Sequence, residues 1–294
     1  MTSGRRQPWW LVALMGALPL AVMANDDAAV VATEASVDTH GWFPDSPFWW
    51  DVALGANATL QHSLLYTDHS TYYPGLELTL FLSGEYGPFF LETQDRRVTS
   101  FADSGRIGVY LYRHEQLEFS LTYGNYMEEI SEEGYDSTWG DKVDELIGID
   151  TREADGNLGL RLLHENRRNI YSLEFGRDVT GSHNSYIGEL SYTHIEQVRN
   201  ADLRFNAVLT YFHQDVVDYY FGVRGSEVTA NRPAYAPGAS YRVHTSLSAL
   251  QPISESWLFE SGLGVSYYGQ EIADSPLVAS PFEGMLMLGV HYVF

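Results

Sequence analysis

Side chains along this chain change character every second residue, and that period limits the fold more than any other feature. Successive residues of a strand point to opposite faces of the sheet. Leu117-Glu118-Phe119-Ser120-Leu121-Thr122-Tyr123-Gly124 places apolar or aromatic residues at odd positions and polar or small ones at even positions. Tyr171, Leu173 and Phe175 alternate with Ser172, Glu174 and Gly176. Trp257, Phe259, Leu263 and Val265 alternate with Glu260, Gly262, Gly264 and Ser266. Weaker versions recur near 51–60, 75–83, 88–93, 105–113, 156–164, 184–195, 201–212 and 240–250, and the segment 284–294 completes a set of twelve.

One apolar face also suits a soluble sandwich, so the connections have to decide. Taken in order they alternate between short and long. The short ones fall at 84–88, 114–116, 165–169, 197–200 and 251–255, and the long ones at 61–74, 94–104, 127–155, 178–183, 213–239 and 269–283. Bacterial membrane barrels have short periplasmic turns and longer external loops, whereas a Greek-key sandwich has no reason to keep that order. The pattern predicts an all-β chain: a transmembrane, antiparallel up-and-down β-barrel of twelve strands over 51–294. Beyond residue 24 no apolar run is long enough for a spanning helix, and a chain that crosses lipid without one must close its sheet.

Residues 1–24 read as a secretory signal peptide, with Arg5 and Arg6 before the apolar stretch from Trp9 to Leu20 and cleavage after Ala24. Export would carry the barrel to the cell outer membrane. Residues 25–50 read as a periplasmic leader, and Trp42, Phe43, Phe48, Trp49 and Trp50 as an aromatic girdle at the inner membrane interface, with a partner-docking patch as the alternative. A net charge of -22 argues against nucleic acid as a partner. With no cysteine in the chain, disulfides and thiolate metal sites are out of reach. The 20 Tyr and 7 Trp suit interfacial girdles.

Charged residues in mid-strand mark the expected lumen face: Glu77, Glu92, Arg106, Glu118, Arg161, Glu174, Glu189, Arg204, Arg242 and Glu260. Twelve strands lie between the filled interior of eight and the open channel of sixteen, so these groups either line a narrow pore or knit it shut by pairing. Pairing is the preferred reading. Leu286, Leu288, Val290, Tyr292 and Phe294 recur at every second place up to the last residue, a spacing like the signal read by the barrel-assembly machinery. Loop 127–155 is crowded with carboxylates that could gather a divalent cation, but it matches no EF-hand pattern, and a solvated acidic surface is the preferred reading. No metal or cofactor site is expected. His183, His194 and His213 lie near Ser182, Ser185, Ser191 and Asp215, yet no nucleophile or metal-protease motif is present and no catalytic residue is assigned.

The last third carries motifs of a different kind. They are Tyr219-Tyr220-Phe221-Gly222, Arg232-Pro233-Ala234-Tyr235 and Ala273-Asp274-Ser275-Pro276, with Tyr73-Pro74-Gly75 near the start and Tyr292-Val293-Phe294 at the end. With them the chain resembles the MltA-interacting protein family (the MipA/OmpV family) of outer-membrane proteins. Loop 127–155 is longer and more acidic than the family pattern. The final hairpin lacks the basic residues usual after Ser-Pro. The resemblance implies a non-enzymatic protein in contact with outer-membrane lipid and lipopolysaccharide. It implies a scaffolding role linking a lytic transglycosylase and a murein synthase, with a narrow porin-like channel and a surface adhesin or receptor as alternatives. The two loops that hold the motifs, 213–239 and 269–283, are expected to fold against each other over the barrel mouth.

Overall fold

The computed structural model describes residues 48–67, 72–93, 105–134 and 142–294. The expected signal peptide, Trp42 and Phe43, nearly all of the 25–50 leader, and Asp136 and Asp141 of the acidic loop lie outside these residues. Twelve strands are present: β1 (Phe48–His62), β2 (Tyr73–Tyr86), β3 (Phe89–Glu92), β4 (Arg106–His114), β5 (Leu117–Gly124), β6 (Asn157–Glu165), β7 (Asn169–Asp178), β8 (Tyr186–Val198), β9 (Ala201–Phe212), β10 (Ser240–Pro252), β11 (Trp257–Tyr268) and β12 (Phe282–Val293). Every sequence neighbour is a sheet neighbour, and β1 pairs with β12 to close the barrel. All twelve pairings are antiparallel.

Strand β1 starts inside the segment expected to be a leader. Phe48, Trp49 and Trp50 pair with Tyr86, Glu85 and Gly84 of β2, so the aromatic run belongs to the strand. Two further features depart from a regular barrel. β3 stops at Glu92 and is the shortest strand. β4 carries a register shift between Tyr110 and Tyr112, which brings Arg113 to the same face as Tyr110, and both bond Glu85.

The barrel is apolar outside and polar inside. Leu76, Leu78, Leu160, Leu173, Leu190, Leu247 and Leu263 stand outward and exposed, while Asn57, Ser120, Thr122, Arg161, Thr193, Asn206, Thr210 and Glu260 face inward and are buried. Aromatic rings gather at both ends of the outer wall. Tyr241, Tyr267 and Phe282 form a chain of contacts at the loop end, and Trp257, Tyr292 and Phe294 another at the turn end. Among the described residues no helix is long and apolar enough to cross a membrane, and the closed sheet leaves no need for one.

Candidate functional site: a polar lumen beneath an apolar cap

The lumen is organised by register. Arg161, Glu174, Glu189, Thr210 and Arg242 are successive cross-strand partners from β6 to β10. The direct Glu174–Glu189 neighbourhood is repulsive by itself, since like charges opposite one another destabilise a sheet. Each carboxylate is therefore met by cation and hydroxyl. Arg106 Nε lies 3.2 Å from Glu174, and Thr122 Oγ1 donates to Glu174 at 2.9 Å. Thr210 Oγ1 donates to Glu189 at 3.0 Å, with Arg242 Nη2 3.9 Å away. Arg161 Nη1 donates to Glu92 at 2.6 Å.

The Arg161–Glu92 pair joins β6 to β3, and the Arg106–Glu174 pair joins β4 to β7. Partners three strands apart in a ring of twelve stand a quarter of the circumference from each other. Their side chains cross in front of the strands between and fill that sector of the lumen.

The other expected lumen residues also face inward. Glu77 accepts from Thr59 Oγ1 and Gln61 Nε2, Glu118 pairs with Arg113 at 3.0 Å, and Glu260 lies 3.1 Å from His291 Nε2. Arg204 stands between its register partners Ile195 and Ser248. Sequence reasoning missed His291. It lies on the inward face of the strand whose outward residues Leu288, Val290 and Tyr292 were singled out, and Phe294 follows directly after that strand.

Above the lumen the loops form a second, conventional core. Leu64 and Leu65 come from the β1–β2 loop; Met127, Ile130, Val143, Leu146 and Ile149 from the β5–β6 loop. Val216, Val217, Tyr220, Phe221 and Val223 come from the β9–β10 loop, and Ile272, Leu277 and Val278 from the β11–β12 loop. All of them are buried in one cluster. The β9–β10 segment contains helix α1 (Gln214–Phe221), capped by His213, whose ring accepts from Asp215 N. Tyr219, Tyr220 and Phe221 are thus helical. Gly222 follows, where a Cβ would collide with the Asp218 carbonyl that its N–H bonds.

The motifs of loops 213–239 and 269–283 meet in this cap. Ser275 Oγ donates to Phe221 O at 2.6 Å, and Tyr235 OH donates to Glu271 O at 3.0 Å beside helix α2 (Gln270–Ala273). Asp274 accepts from Gln270 Nε2 at 3.0 Å, and Pro276 leads into the fully buried Leu277. Arg232, next to Pro233, donates to the carbonyls of Glu227, Glu145 and Ile147. Arg152 pairs with Glu227 at 2.5 Å and also donates to Gly222 O. These two buried arginines bind the acidic β5–β6 loop to the β9–β10 loop.

Several acidic-loop residues turn out to be internal ligands. Asp155 accepts from Tyr126 N, Met127 N and the His183 ring, and Glu132 accepts from Lys142 and Gly148 N. Lys142 and Gly148 N hold the Glu132 carboxyl below its ordinary pKa. Burial pushes the Glu227 carboxyl up, but Arg152 and the N–H groups of Asp150 and Arg224 outweigh it and hold it low. Among the described residues no group of three or more His, Asp or Glu is placed to hold a metal ion.

The histidines near serines form no relay. Ser185 Oγ is 2.8 Å from His213 Nδ1, and the Asp215 carboxylate approaches that same nitrogen at 3.3 Å. An activated nucleophile needs its orienting acid on the opposite ring nitrogen. His183 is buried against Asp155 and takes the Ser185 N–H on Nδ1, while Ser191 is buried and His194 lies outward by Asn169 and Glu196.

Known proteins place this barrel. Outer membrane protein OmpV of Vibrio cholerae is 30% identical over 52% of this chain, and the match spans 60% of OmpV, less than two thirds of its length. Outer membrane protein Omp26La of Vibrio anguillarum is 26% identical over 69% of this chain and 81% of its own. Among solved structures, Pseudomonas putida OprB superposes with a TM-score of 0.43 at 6% identity, covering 84% of this chain and 94% of that one. The relatives and the closed, lipid-facing sheet make this an outer-membrane protein. A family model described as MltA-interacting protein MipA matches residues 54–294, and the chain belongs to that family.

Proposed function

We propose that this outer-membrane barrel is a non-enzymatic structural protein, closed to solutes, that offers its periplasmic face as a docking point for the murein-synthesising and murein-cleaving machinery. The observation that carries the closed reading is burial of inward-facing polar groups: Thr210 is 0% exposed, Glu260 1%, and Arg161 and Asn57 2%. Groups lining an aqueous channel keep contact with water, and charges withdrawn from it persist only when paired. The apolar cap reinforces closure at the external end. A barrel that conducts nothing has its two surfaces left as working parts.

The description of the family, MltA-interacting protein, supports a protein partner for this barrel. The candidates are a lytic transglycosylase and a murein synthase. Lipopolysaccharide around the outer wall and the barrel-assembly machinery during biogenesis complete the set. Reversible cross-linking in living cells, followed by purification of the tagged barrel, tests the reading. Repeated recovery of a murein hydrolase or synthase supports it; recovery of lipopolysaccharide and assembly factors alone sinks it. A narrow channel is the second reading, favoured by the residual exposure of Arg242 and Glu189 side chains, 26% and 16%. Stable conductance steps from the purified barrel in a planar bilayer establish that reading instead.

A further inference from the structure

β1 and β12 are the ends of the barrel sequence, and their pairing decides how the sheet closes. Their register opposes Gly55 to His291 and Asn57 to Gly289. All four residues are inward-facing and buried, with His291 0% and Asn57 2% exposed. A Cβ on Gly55 would overlap the His291 ring and stand 2.6 Å from Thr79 Oγ1. A Cβ on Gly289 would overlap the Asn57 carboxamide. Each strand thus supplies one bulky group and one glycine, and each bulky group sits over the glycine opposite. The imidazole reaches further: it lies 3.1 Å from Glu260 on β11, and its ring meets Phe81 on β2 edge-on at 5.0 Å. His291 therefore touches all four strands around the seam.

A slip of one residue in this pairing would turn every side chain to the wrong face. A slip of two keeps the faces but changes the shear, and hence the shape, of the barrel. Alternation says nothing against that second error. One two-residue slip sets His291 opposite Asn57, two bulky groups in one place. The other sets Gly55 opposite Gly289, leaving a hole, and His291 opposite Ala53. Only the observed register nests both pairs.

We propose that His291–Gly55 and Asn57–Gly289 form a clasp that selects the register, and so the shear, at which the barrel closes. The chain contains no cysteine, which makes the register directly readable. Outward-facing Ala56 and Val290 are register partners. Ala56→Cys with Val290→Cys reports the native register, and Ala56→Cys with Leu288→Cys or with Tyr292→Cys reports either two-residue slip. The full chain is refolded from urea into lipid vesicles and oxidised. The parent should cross-link only through the native pair, whereas Asn57→Ala/His291→Ala should divert part of the product into a slipped pair.

Gly55→Ala should slow folding about tenfold, in line with overpacking of a buried site. Adding His291→Gly should restore the rate. Native-only cross-linking of Asn57→Ala/His291→Ala at the parent's rate overturns the clasp. If that variant does not fold, the Gly55→Ala pair decides alone. Recovery with His291→Gly supports the clasp, and no recovery overturns it.

Discussion

The wall of the barrel and the cap above it are built from one chain by opposite rules. In the wall, Leu160 and Leu173 face outward and Arg161 and Glu174 are buried. In the cap, Leu146, Phe221 and Ile272 are buried, while Glu128, Glu129, Asp144 and Glu153 are exposed. The difference is the solvent. Against lipid the sheet gains nothing by hiding leucine, and its specificity comes from polar groups that must satisfy one another inside. The cap stands in water and is held by the ordinary hydrophobic effect. Substitutions of one kind should therefore have different consequences in the two regions.

The largest effect is expected from breaking an internal ion pair. Arg161→Met should destabilise the barrel by roughly 3–5 kcal/mol by leaving Glu92 buried without its cation. Glu92→Leu added to it should recover much of the loss. Urea titration in lipid vesicles checks both, and a single variant as stable as the parent would remove the wall's polar side of the comparison. Phe221→Ala should cost about 3–5 kcal/mol, but within the cap. Limited proteolysis of intact vesicles should then cut the β5–β6 and β9–β10 loops while the barrel keeps its resistance to urea. If barrel and cap fall together, the two regions are one cooperative unit.

Leu160→Arg on the outer wall should cost about 2–4 kcal/mol near the bilayer midplane. Exposed arginine at Val228 on the cap should be nearly neutral, which sharpens the contrast. Ser275→Ala should cost about 1 kcal/mol through loss of its bond to Phe221 O, and faster amide exchange in the β11–β12 loop should report it. Acid should act on the cap through Glu227. Its folded pKa is depressed, so its contribution is complete above the unfolded carboxylate range and is lost as pH falls through the folded value. Loop protection measured between pH 6 and 3 should decline at the acid end, and Glu227→Gln should be weakened at every pH and lose that decline.

The same contrast explains how far the sequence could be read. Strands announce themselves locally, because residue 118 and residue 120 share a face whatever the rest of the chain does. The twelve strands were legible for that reason, including the inward set from Glu77 to Glu260. Which charges pair was not legible. Arg161 meets Glu92 and Arg106 meets Glu174 across three strands, and that choice depends on the barrel's shear rather than on spacing. The cap was visible only where tyrosine, proline and glycine gather. Leu64, Ile130, Val143 and Leu146 lie in loops with no period, so their apolar character carried no direction. Helix α1 was missed because eight residues are too few for a helical period to stand out among aromatics.

The cap also straddles the place where the barrel shuts. Leu65 bridges Val278, and the N–H groups of Ala279 and Ser280 both bond Leu64 O, so the first long loop is joined to the last. These segments are among the most distant in chain order, and contacts of such separation are slow to find. They lie beside the β1–β12 pairing, so they are expected to form with it or after it. The cap should therefore be completed late in biogenesis, and the onset of its protease resistance should time the completion of each molecule rather than the insertion of its strands.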